Sequence, residues 1–81
     1  MAKRQYHPEY GDPDILPPAQ YAVFDYMLQT YYASGQTEFR VTEIAEGVNM
    51  QAPNVIRTLK RLKEKLPTCF DKVGVTWVLH P

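Results

Sequence analysis

The sequence predicts a single α+β domain, mainly helical, made of three helices, a short strand and a C-terminal β-hairpin. Three observations predict it. Apolar residues recur at the helical period across two long stretches, Pro18 to Ala33 and Ala52 to Lys65. Towards the C-terminus the period changes to two, within a run of β-forming residues that has Gly74 near its middle. Prolines and glycines stand where one pattern gives way to the next. The 81 residues suffice for one domain and not for two. A core of that size supports a stability of only about 5 kcal/mol, so dimerisation would help.

Residues 1–15 read as a tail, because His7-Pro8, Gly11 and Asp12-Pro13 break any periodicity. It carries Lys3-Arg4, Tyr6 and Tyr10. Three roles stay open for it: packing on the domain, a basic arm in a minor groove, or disorder. The domain proper spans 16–81. Pro17-Pro18 opens the first helix, whose apolar stripe is Val23, Phe24, Met27, Leu28, Tyr31 and Tyr32. Gly35 suits the left-handed position that ends it. Glu38 to Val41 follows as a short strand containing Phe39 and Val41.

Thr42 is placed to cap a second helix running to about Gly47, with Glu43 favourable in its first turn. Ile44, Ala45 and Val48 face the core, and Asn49 makes the turn. Pro53 marks the start of the third helix, Ala52 to Lys65. Its stripe of Val55, Leu59, Leu62 and Leu66 steps by 4, 3 and 4, and Pro67 stops it. Cys69–Lys72 then pairs with Val75–Leu79 in a hairpin turning near Val73-Gly74. Val75, Trp77 and Leu79 alternate inward. The order of helix, short strand, helix, helix and hairpin is that of a winged helix-turn-helix.

The stretch from Thr42 to Leu62 meets the spacing requirements of a helix-turn-helix. Ala45 is the small residue that lets two helices cross closely, Asn49 takes the turn, and Val55 and Leu59 bury the contact face. Gln51, Asn54, Arg57, Thr58 and Arg61 are left facing outward. Arginine pairs bidentately with guanine, and glutamine or asparagine with adenine. Gln51, Asn54, Arg57 and Thr58 are therefore the candidate base-reading residues. Thr42, Lys60, Arg61, Lys65 and Lys72 are the candidate phosphate contacts. The alternative is a structural helix with an ordinary solvated face.

These residues resemble the winged helix-turn-helix domains of bacterial repressors, most closely the DNA-binding domain of the LexA family. Leu16, Gln20, Val23-Phe24-Asp25 and Gly35 look like that family's first helix, and Glu43-Ile44-Ala45 with Pro53-Asn54 like its helix-turn-helix. The resemblance runs from Leu16 to Leu79. It implies that the third helix reads sequence, which carries over to Gln51, Ala52, Asn54 and Arg57. The chain departs from the pattern at Pro17 and Ala52, where capping Thr or Ser is usual, and by one residue inserted between Gly35 and Glu43. The third helix's leucines sit in the register of multiple-antibiotic-resistance-type (MarR-type) repressors. No peptidase domain follows, so self-cleavage is not expected.

Composition supports this reading only once charge is mapped along the chain. The formal net charge is zero. Residues 1–50 hold three cations against seven anions, and residues 51–81 hold six against two. The positive charge is thus concentrated on the third helix and hairpin. One cysteine, Cys69, leaves no internal disulfide, and it reads as a small buried hydrophobe. No stretch approaches the ~20 apolar residues of a membrane span. His7 and His80 lack ligand-spaced partners, so no metal is expected, and neither is a cofactor. No nucleophile–base or paired-carboxylate constellation suggests an enzyme.

The expectation is a sequence-specific transcriptional regulator of double-stranded DNA, a small repressor of phage or plasmid type. It would act in the bacterial cytoplasm as a homodimer, without membrane or small-molecule partners. Tyr21, Tyr26, Tyr31 and Tyr32 exceed what one small core can bury and suggest the dimer interface. The alternative is a protein-interaction module that binds transcription or replication machinery.

Overall fold

The computed structural model describes residues 16–81, so expectations for the tail, 1–15, lie outside the described residues. The elements run α1 (Pro18–Ser34), β1 (Glu38–Arg40), α2 (Val41–Val48), α3 (Ala52–Lys65), β2 (Phe70–Val73) and β3 (Thr76–Leu79). The result is an α+β domain, mainly helical, with one antiparallel sheet of three strands ordered β1-β3-β2. None of the described helices is long and apolar enough to cross a membrane.

The helix stripe of α1 buries Val23, Phe24, Met27 and Leu28, as its period predicts. Tyr31 is half-buried, and Tyr32 leaves the core at 53% exposure. Gly35 ends the helix at φ 79°, its N–H donating to the Tyr31 carbonyl at 2.6 Å. A left-handed residue there satisfies an otherwise orphaned carbonyl, and glycine adopts it without steric cost.

The boundary between β1 and α2 differs from expectation. Val41 begins α2 rather than ending the strand, and Arg40, not Thr42, is the N-cap. The reason is local hydrogen bonding. The Arg40 N–H donates to Glu43 Oε1 at 3.4 Å, while Gln36 Nε2 holds Glu43 Oε2 at 2.9 Å. A guanidinium has no acceptor to return the bond, so only the glutamate half of a capping box operates. Asn49 ends the helix at φ 57°, as predicted, with the Met50 N–H reaching back to the Ala45 carbonyl at 3.0 Å.

Gly47 lies inside α2 and does a job the sequence reading assigned to Ala45 alone. A Cβ at Gly47 would run into the Tyr26 ring of α1. The missing side chain lets α1 and α2 approach, and Tyr26 then meets Phe39 edge-on with centroids 6.3 Å apart. The α3 boundaries are those predicted. Its N-cap, however, is Gln51, which makes no side-chain capping bond, and Pro53 sits in the first turn.

The hairpin turn is one residue later than expected. Val73 pairs with Thr76, leaving Gly74-Val75 as a two-residue loop. Gly74 has φ 63°, whereas Val75 does not. A positive φ at the first loop position only is the pattern that places glycine there and matches the twist of the strands. Val75 is consequently a turn residue, 69% exposed, while Trp77 and Leu79 alternate inward at 2% and 1%. The strand β3 also pairs with β1, setting Phe39 opposite Trp77. The sheet thereby closes over the helices. Phe24 packs on Phe70 at 5.4 Å, and Val55, Leu59 and Leu62 complete the core.

Candidate nucleic-acid interface

Burial of one face of α3 decides what the other face can offer. Val55, Thr58, Leu59 and Leu62 point inward, and α1 and α2 both pack against this helix. Gln51, Asn54, Arg57, Lys60, Arg61 and Lys65 are all exposed. Each of these was singled out from sequence as a base or phosphate contact. Cations outnumber acids on the helix, with Glu64 as its one carboxylate. Lys63 and Lys65 occupy the last turn, where the helix dipole favours them.

Thr58 stands apart from this group. It is only 7% exposed, and its hydroxyl donates to the Asn54 carbonyl at 2.7 Å. The position falls on the core side of the helix, three residues after Val55 and four before Leu62, so it faces α1 rather than outward. Its hydroxyl proton is already committed. Arg57 and Asn54 remain outward and are joined to each other, Nη1 donating to Oδ1 at 3.2 Å. That bond joins two candidate base-reading groups on the exposed face of the helix.

The exposed face of α3 is flanked by a depression on each side. On one side a cleft of about 290 Å³ runs between α3 and the start of α1, lined by Asn54, Arg57, Thr58 and Arg61 with Ala19 and Gln20 opposite. On the other a groove of about 380 Å³ lies between Ile56 of α3, the beginning of α2 and the hairpin. Thr42 and Lys72, both expected from sequence as phosphate contacts, line that groove together. Lys72 is held there by Trp77, its cross-strand partner, with Nζ 6.0 Å from the ring centroid.

No family model, curated protein or solved structure matches this chain. Two further residues enter the site from the structure. Arg40 lines the groove with Lys72, and the alternation of β1 around buried Phe39 could have indicated its outward direction. Gln20 is 6% exposed beneath the other cleft. A glutamine at the edge of an apolar stripe gives no sequence signal of burial. Cys69 stays inside as expected; burial pushes its thiol above the ordinary value, against a smaller lowering by a hydrogen bond from Thr68.

Proposed function

We propose that this chain is a winged helix-turn-helix regulator that inserts α3 into the major groove of double-stranded DNA. The observation that carries the reading is the outer face of α3. There Gln51, Asn54 and Arg57 stand together, with Lys60 and Arg61 beside them and the core locked behind. Amide and guanidinium groups near a helix N-terminus suit the donor and acceptor pattern of base edges. The groove on the hairpin side, with Thr42, Lys72 and Arg40 on its walls, suits the adjacent phosphate strand. The order of three helices and a terminal hairpin supports the resemblance to LexA-type and MarR-type repressors.

A module this small offers few phosphate contacts, so two copies on a two-fold-symmetric site are part of the proposal, with half-sites ~34 Å apart. Tyr31 and Tyr32 at the end of α1, their rings tilted at 59° with centroids 5.6 Å apart, are the surface assigned to pairing. Selection of duplexes from a random-sequence pool tests the reading. Enrichment of one symmetric motif supports it, and replacing Arg57 by alanine is then expected to relax preference at one base position by roughly 1–3 kcal/mol.

A second reading has an observation of its own. Ile56, Val73 and Val75 are exposed at 38%, 64% and 69%, and two of them border the hairpin groove. Exposed aliphatic residues beside Arg40 and Lys72 suit an acidic, apolar segment of a protein partner. Substituting Val75 by aspartate separates the readings. It would abolish protein capture, and would weaken duplex binding only through the added charge.

A further inference from the structure

We infer that the cleft between α3 and the start of α1 is the docking site of this chain's own acidic segment, residues 12–15, Asp12-Pro13-Asp14-Ile15. That the docked segment competes with DNA rests on the reading above; the docking itself does not. Continuity of the chain is the first support. Pro17 and Ala19 form the α1 wall of the cleft, and the described chain starts at Leu16, one residue before that wall. Residues 12–15 therefore begin beside the cleft, and at ~3.3 Å per residue they span roughly 13 Å when extended.

Charge complementarity is the second. Every charged group lining the cleft is a guanidinium, Arg57 and Arg61 of α3, both exposed, and no carboxylate lines it with them. Residues 9–15 carry Glu9, Asp12 and Asp14 and no cation. Asp12 precedes a proline, which favours an extended backbone at that position. In an extended segment successive side chains take opposite sides, so Asp12 and Asp14 share one side and Pro13 and Ile15 the other. The cleft offers the matching pair of walls, arginines on α3 and the apolar Pro17 and Ala19 opposite.

A missing donor is the third. Gln20 lines the same cleft at 6% exposure, and its Oε1 has no hydrogen-bond partner among the described residues. Buried acceptors are normally paired, so an orphaned one calls for a donor. Pro13 has no N–H to give, whereas Asp14 and Ile15 each have one, and in the docked segment one of these donates to Oε1. The carboxylates meanwhile occupy Arg57 and Arg61. The acidic segment and a duplex thus compete for the same two guanidinium groups.

The test is NMR on the full chain at low salt. Nuclear Overhauser contacts are expected between residues 12–15 and the side chains of Ala19, Gln20, Arg57 and Arg61, fading as salt screens the charges. Gln20→Leu should lower the docked-to-undocked ratio by roughly twofold to tenfold, the worth of one neutral hydrogen bond. Asp12→Asn and Asp14→Asn should each lower it by up to about fivefold, as for exposed ion pairs; lying outside the core, they read docking even if Gln20→Leu fails to fold. Absence of these contacts overturns the inference, as do contacts that all three variants leave unchanged. Contacts seen only between differently labelled copies overturn it too, and give the cleft to the tail of a second molecule.

A second arm adds duplex DNA. The variant with both Asp12→Asn and Asp14→Asn should bind tighter than wild type by the factor by which its undocked fraction rises. A control with Glu38→Gln and Glu46→Gln, the same change in charge at exposed residues that do not line the cleft, should gain less. An equal gain from the control overturns the competition. Docking in a protein that binds no duplex upholds the site and removes the DNA reading, whereas duplex binding without docking leaves that reading standing and removes this one.

Discussion

At the scale of single residues, the fold depends on side chains that are absent or unusually placed. Gly47 costs about 1 kcal/mol of helix propensity relative to alanine, yet a Cβ there meets the Tyr26 ring. Overpacking of this kind costs about 1–3 kcal/mol. Gly47→Ala should therefore destabilise by about 1 kcal/mol in denaturant unfolding despite improving the helix. Adding Tyr26→Ala should recover part of the loss caused by Gly47→Ala, because residues in contact do not act additively.

Cys69 gives a pH prediction. Burial raises its thiol in the folded protein, so the unfolded chain releases that proton first as pH increases. Its contribution is fully present below the ordinary thiol range, about 8.5, and declines as pH rises through the folded value. Unfolding midpoints measured between pH 7 and 10 should fall at the upper end, and Cys69→Ser should flatten that part of the profile.

At the scale of elements, most of the architecture was legible because each helix carries its own period and its own stops. Pro53 and Pro67 bracket α3, and Val55, Leu59 and Leu62 fix its inward face, so both its ends and most of its exposed face are legible from these residues. Thr58 was misplaced because a threonine reads as polar in a pattern of apolar residues, while its hydroxyl can bond the carbonyl four residues back and be buried at little cost. The cap of α2 was misplaced because Glu43 captures the Arg40 N–H, a bond made by a residue inside the helix. The turn at Gly74-Val75 shifted by one residue because the strand register is set by pairing with β1 as well as β2, a long-range constraint.

Neither α1 nor α3 has a side-chain N-cap bond. Placing one at α3 by Gln51→Ser should stabilise the protein by about 1 kcal/mol. Because Gln51 is also a proposed base-reading residue, the same substitution should alter the preferred duplex sequence. Thermal melting and duplex selection on this one variant would show both effects, and a gain in stability with unchanged preference would remove Gln51 from the reading face.

At the scale of the whole molecule, a neutral total charge is divided unequally. The described acids concentrate on α1, β1 and α2, while α3 and the hairpin carry most of the cations. Such a distribution orients the molecule toward a polyanion even though it has no net attraction at long range. Lys60, Arg61, Lys65 and Lys72 as phosphate contacts predict a slope of about −3.6 in log affinity against log salt for each bound copy. Between 50 and 200 mM salt that amounts to roughly a 150-fold loss.

The most direct measurement is duplex selection at low salt followed by affinity against salt for the winning sequence. The predicted result is one enriched motif, bound with a salt slope near that value and weakened at one base position by Arg57→Ala. If no duplex is enriched at low salt, α3 does not read DNA.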